Sequence, residues 1–136
     1  MLLKISVLGW INIVLIIFLA YIGGSTLYTY FRGRSVAKLM TNDEFKAGMR
    51  KAQIIDVREK NSFDASHILG ARNIPYGQFK FYMQSLSKDL PVYLYDDGKA
   101  LSTRAAVQLH KAGYKQIGIL KGGFTNWDGK KKKAKL

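Results

Sequence analysis

From Ile5 to Phe31 the chain carries no charged side chain, and no other feature limits its fold as strongly. The densest part, Val7 to Ile22, is broken only by Gly9 and Asn12. About 20 mostly apolar residues suffice for a helix to cross a bilayer. Trp10, Tyr21, Tyr28 and Tyr30 are amphipathic aromatics of the kind that settle at membrane interfaces. Two other readings compete. A buried helix apolar on every side needs a larger protein around it. A cleaved signal has an apolar stretch of about 7–15 residues and then a small-residue cleavage site; this run is longer, and no clear site follows it. The expectation is a retained anchor over residues 1–34, with a single span at about 5–31. Lys4 precedes the span, whereas Arg32, Arg34 and Lys38 follow it. That asymmetry predicts a single-pass membrane protein with its C-terminal domain in the cytoplasm. Asn12 lies inside the span, open to local hydrogen bonding or to contact with another helix.

Beyond a linker at 32–40, the pattern alternates between strand-like and helix-like segments. Thr41-Asn-Asp-Glu44 spells a capping box and opens a helix through about Lys51, with Phe45 and Met49 on one face. Gln53 to Val57 is a short apolar run suited to a strand buried on both sides. Phe79, Met83 and Leu86 recur at helical spacing. Val92 to Tyr95 has high β-propensity, and a polar loop follows it. Ser102 can cap the next helix, which Ala105, Ala106, Leu109 and Ala112 stripe and Gly113 ends. Gln116 to Leu120 is the next strand. Such alternation predicts an α/β fold with a parallel sheet covered on both faces. The lysine-rich segment 130–136 is expected to be a disordered basic tail.

Several motifs point to one family. Asp56-Val-Arg-Glu59 is followed by Phe63, then His67, Ile68, Gly70, Ala71, Asn73, Ile74 and Pro75. Further on come the loop Asp96 to Ser102 and the ending Gly122-Gly123-Phe124 with Trp127. Residues 41–129 resemble a rhodanese domain, with Ser66 in place of a frequent Gly. The resemblance implies a rhodanese-like parallel sheet with helices on both faces over residues 35–129, and the apolar run places one transmembrane helix before it. It also implies a catalytic Cys at the head of the loop, which takes up sulfur as a persulfide. Here Asp96 stands at that position, and the chain contains no cysteine at all. Asp97 and Leu101 fill the places where the family typically carries Arg.

The chemistry follows from the substitution. A carboxylate cannot form a persulfide, so sulfur transfer through this loop needs another protein's thiol. The active-site-like loop is Asp96, Asp97, Gly98, Lys99, Ala100, Leu101 and Ser102, supported by Asp56 and Arg58, and Arg58 can pair with Asp96 or Asp56. A loop entering a helix N-terminus favours an anion, so the Asp96 carboxylate can fill the cradle from within. The domain is then a binding or regulatory module rather than a catalyst. The competing enzymatic readings are sulfur handling with a partner's thiol and phosphoryl chemistry at Asp96. Two histidines and no cysteine argue against a zinc site, and no metal or cofactor is expected. His67 reads as a structural hydrogen-bonding residue and Trp127 as a core plug. The net charge of +13 suits an anionic partner. In a tethered protein the nearest such partner is anionic lipid, met by the lysines of the tail, alongside an unidentified protein partner. Nucleic acid is not expected, because no recognition fold or stacking motif is present.

Overall fold

The structure is a computed structural model and describes residues 4–133. It divides into two compact units between Arg32 and Gly33. Helix α1 (Val7–Val36) forms the first as far as Arg32, and its last turn belongs to the second. Its stretch Val7–Thr29 is long and apolar enough to cross a membrane, and none of it is buried within the structure.

The second unit begins with strand β1 (Lys38–Met40) and helix α2 (Asn42–Gly48), which runs on into a 3-10 turn at Met49–Lys51. Strand β2 (Gln53–Asp56), helix α3 (Lys60–Ala65) and the short strands β3 (His67–Ile68) and β4 (Arg72–Asn73) follow. Next are helix α4 (Tyr76–Tyr82), strand β5 (Val92–Tyr95) and helix α5 (Ala100–Lys111). Strands β6 (Ile117–Leu120) and β7 (Lys131–Lys132) complete the unit. The main sheet has the order β1-β6-β5-β2-β4. Every pairing in it is parallel.

Alternation along the strands divides the core between two faces. Ile55, Leu94 and Ile119 point to one side, against Phe79 of α4 and Ala105, Ala106 and Leu109 of α5. Ile54, Tyr95 and Leu120 point to the other, against Phe45 of α2, Ile68 and Trp127. The parallel sheet with helices on both faces thus stands as the sequence indicates. The helix boundaries have local causes. Thr41 and Glu44 form a reciprocal capping box at the start of α2. Beyond α5, Gly113 takes a φ of 97° while Tyr114 N–H donates to the Leu109 carbonyl and Gly113 N–H to that of His110. This is a Schellman stop, which requires a left-handed residue and therefore favours glycine.

Two segments differ from the sequence expectation. The supposed linker at 32–40 ends in β1, which pairs Lys38 with Gly118 and Met40 with Leu120. Burial of Ala37 and Met40 accounts for it, and three residues are too few to show a strand period. The basic tail is ordered at its start: Lys132 pairs with His67 and Lys131 with Ile68. The Leu69 N–H also donates to the Lys130 carbonyl at 3.1 Å. Lysine side chains do not oppose this, because the ribbon needs only their backbone. The expected tail beyond Lys133 lies outside the described residues.

Candidate functional site

The loop between β5 and α5 lies at the carboxyl ends of the parallel strands, where open α/β sheets place their sites. Asp96 follows the last residue of β5 directly and is 5% exposed. Its Oδ1 accepts from the Ser102 hydroxyl at 2.6 Å, and its Oδ2 accepts from the Leu101 N–H at 3.3 Å. The carboxylate therefore reaches the first turn of α5 and satisfies donors that a helix start leaves unpaired. Ser102 is not the cap the sequence suggested. The helix begins at Ala100, and Ser102 sits inside it, fully buried. Its hydroxyl points back at Asp96 because the loop closes so tightly.

Asp97 turns the opposite way, with its side chain 69% exposed. The two adjacent acids therefore do not converge on one point. Among the described residues no three histidine or acidic side chains gather as a metal site.

Arg58 ties this loop to the one after β2. Its Nη2 donates to Asp56 Oδ2 at 2.7 Å and to the Ser66 carbonyl at 2.7 Å. Its backbone N–H also donates to Asp56 Oδ1 at 2.8 Å. A longer contact of 3.4 Å joins Nη1 to Asp97. Of the two pairings the sequence allowed, Asp56 is formed; the second acid is Asp97 rather than Asp96. The guanidinium lies 4.3 Å over the Phe124 ring. Burial opposes the Arg58 charge, yet the hydrogen bond and charge of Asp56 outweigh it, and the pKa rises above its ordinary value. Asn73 pins the same loop by donating to the carbonyls of Asp56 and Arg58.

Beneath the site, Tyr95 is fully buried and its hydroxyl accepts from the Ile68 N–H. Burial, with the Asp56 charge nearby, pushes that phenol far above its ordinary pKa. His67 stacks on Phe63 at 3.7 Å and places Nδ1 2.7 Å from the Phe63 carbonyl, the structural role expected of it. Trp127 packs edge-on against Phe45 in the core.

Sequence reasoning missed a latch. The Phe124 N–H donates to the Asp96 carbonyl at 2.8 Å, and the Thr125 hydroxyl donates to the Asp97 carbonyl at 3.0 Å. Gly123, with φ 67° and ψ −176°, makes the approach possible. A Cβ there would strike the carbonyl oxygens of Asp97 and Gly98. The Gly122-Gly123 pair was the available signal. A separate cleft of about 690 Å³ lies between α3 and α4, lined among others by Phe63, Arg72, Pro75 and Tyr82, and no residue of the Asp96 loop reaches it.

Residues 41–130 match the rhodanese-like domain family. The chain is 50% identical over 123 residues to the protein YqhL of Bacillus subtilis (strain 168), covering 90% of this chain and 97% of that one. It is 31% identical over 78 residues to the thiosulfate sulfurtransferase GlpE of Coxiella burnetii, covering 57% of this chain and 73% of that one. Among solved structures, the rhodanese-like domain of the Alr3790 protein from Anabaena superposes with a TM-score of 0.64 at 25% identity, covering 70% of this chain and 78% of that one. With the parallel sheet, the loop at its carboxyl end and these likenesses together, the chain belongs to the rhodanese-like domain family.

Proposed function

We propose that this chain is a membrane-anchored rhodanese-like module that binds or regulates a partner instead of transferring sulfur through a thiol of its own. The observation that carries the reading is the inward carboxylate of Asp96, held by Ser102 and Leu101 where the fold favours an anion. The anion position is filled from within, and the chain has no cysteine to carry sulfur. The outward side chain of Asp97 leaves no paired-acid site to favour phosphoryl chemistry. The apolar stretch Val7–Thr29 supports the anchor. The basic residues Arg32, Arg34 and Lys38 after it support a cytoplasmic domain. The partners are an unidentified protein and anionic lipid met by Lys130 to Lys133.

The test is a thiosulfate–cyanide assay, suggested by the sulfurtransferase relative. Full-length native chain in detergent is compared with the Asp96→Cys, Asp97→Arg, Leu101→Arg variant. The reading expects a silent native chain and a variant that gains turnover. Turnover by the native chain, alone or with an added thiol protein, would overturn it. A reporter fused at the C-terminus that works only outside the cytoplasm would overturn the orientation.

A further inference from the structure

The lysine-rich segment begins as ordered structure, and its first lysine closes a groove. Lys46 of α2, Met49 and Arg50 of the 3-10 turn, Leu69 after β3, Trp127 and Lys130 line a space of about 510 Å³. Trp127 is buried and Met49 packs on the same core cluster, so both form its base, whereas Leu69 is 44% exposed. Lys130 is fixed there through its backbone. Its carbonyl accepts from the Leu69 N–H at 3.1 Å and from the Trp127 Nε1–H at 3.4 Å. Gly129 permits this close passage, since a Cβ there would strike the Trp127 ring. The charge around the groove is unbalanced. Lys46 donates to Asp128 at 2.7 Å, but among the described residues neither Arg50 nor Lys130 has an acidic partner. Lys131 and Lys132 continue the same ribbon. Two uncompensated cations beside apolar side chains suit a ligand with an anionic head and an apolar body. A nucleic acid would need an open aromatic face for stacking, and Trp127, 5% exposed, presents none.

We propose that this groove binds an anionic phospholipid, with the phosphate between Arg50 and Lys130 and the first acyl methylenes against Leu69 and Met49. The occupant is a lipid because of the tether. The second unit begins at Gly33, a few residues past the apolar stretch that ends at Thr29. Anionic headgroups are then the anions it meets at the highest local concentration. The inference rests on the membrane reading given above and deepens its lipid partner. A solvated run of lysines responds to charge alone, whereas this groove adds an apolar contact at a fixed place.

The chain has no cysteine, so a single introduced thiol reports on one position. Full-length Leu69→Cys is reconstituted in nanodiscs of phosphatidylcholine, alone or mixed with phosphatidylglycerol, and its alkylation by uncharged N-ethylmaleimide is timed. His110→Cys is the control, because α5 packs on the opposite face of the sheet from Met49 and Trp127. Phosphatidylglycerol should slow Leu69→Cys by about fivefold or more, the worth of one cation near an anionic surface, and leave His110→Cys unchanged. Arg50 and Lys130 are exposed, so the fold tolerates their replacement. Adding Arg50→Gln and Lys130→Gln to Leu69→Cys should abolish the protection. Arg104→Gln and Lys111→Gln remove the same charge from α5 and should leave it intact. No slowing, equal slowing at both thiols, or equal loss from both pairs of substitutions overturns the groove. Slowing by inorganic phosphate in phosphatidylcholine discs assigns it to a soluble anion and overturns the lipid. Alkaline carbonate extraction from cell membranes reads the anchor separately. A carbonate-resistant chain with an unprotected Leu69→Cys loses the groove and keeps the membrane reading; release by carbonate overturns both.

Discussion

The Ser102 hydroxyl donates to the Asp96 carboxylate at 2.6 Å, with both side chains buried. Each residue is therefore committed to the other and to the first turn of α5. Replacing Ser102 by alanine removes the donor and leaves Oδ1 buried without it. Urea unfolding of the unit from Gly33 onward should show a loss of about 1–3 kcal/mol. Asp96→Ala should cost more than Asp96→Asn, because the amide oxygen still accepts from the loop. A Ser102→Ala variant as stable as the native chain would mean that the pair contributes nothing.

Gly123 predicts a contrast between two glycines. Its φ of 67° with ψ −176° is a conformation essentially confined to glycine, and a Cβ there would collide with the Asp97 and Gly98 carbonyls. Gly123→Ala should cost at least about 1–3 kcal/mol from backbone strain alone, and it should release the Phe124 latch from Asp96. Gly77 lies in α4 with open space around it. Gly77→Ala should stabilise by about 0.4–1 kcal/mol. Thermal unfolding of the two variants side by side reads both signs.

The features legible in the sequence are those whose causes are local. Thr41 and Glu44 sit three apart and cap α2 as spelled. The apolar run at Ile54 and Ile55 announces a strand buried from two sides. What stayed hidden depends on the path of the chain. The Arg58–Asp97 contact joins residues far apart in sequence, and only the folded loops reveal it. Ser102 looked like a cap because its type favours one; the turn into Ala100 starts the helix earlier and turns its hydroxyl to Asp96. Strands β1 and β7 are too short to show a period, and they exist because a neighbouring strand offers its edge. Asp96 itself was legible as an acid in an anion-favouring place, whereas the divergence of Asp96 and Asp97 required coordinates.

Stability should fall on acidification through two surface pairs. Hydrogen bonding from Lys38, then from the Thr41 backbone, holds Glu44 below its ordinary value of 4.5. Hydrogen bonding from Lys46 holds Asp128 below its ordinary 3.8. A depressed folded-state pKa means that the unfolded chain binds protons first, so the contribution is complete above the ordinary value and is lost as pH falls through the folded one. Lys38, hydrogen-bonded to Glu44, is raised above 10.5, so its share is complete below that value and fades at higher pH. Both pairs are exposed, so the effect is small and screened by salt. Melting temperature against pH from 2 to 6 should show a shallower acid limb in Lys38→Met than in the native chain. An unchanged limb would remove the pair from the acid response.

Arg58 offers the sharpest test of what holds the candidate site together. The guanidinium neutralises the fully buried Asp56 and also bonds the Ser66 carbonyl. Arg58→Ala leaves that carboxylate buried without a counter-charge, a change that typically costs about 3–5 kcal/mol. Arg58→Lys keeps the charge but not the planar fork, so it should recover only part of the loss. Asp97→Ala should cost under about 1 kcal/mol, because Asp97 is largely exposed and its contact with Arg58 is long. Asp56→Leu combined with Arg58→Met removes both charges together, and replacing a buried pair by apolar groups of similar volume is often close to neutral. Urea unfolding of the series distinguishes a buried ion pair from simple packing. If Arg58→Ala loses no more than the double variant, an uncompensated buried charge is not what destabilises it, and the ion-pair account of the site fails.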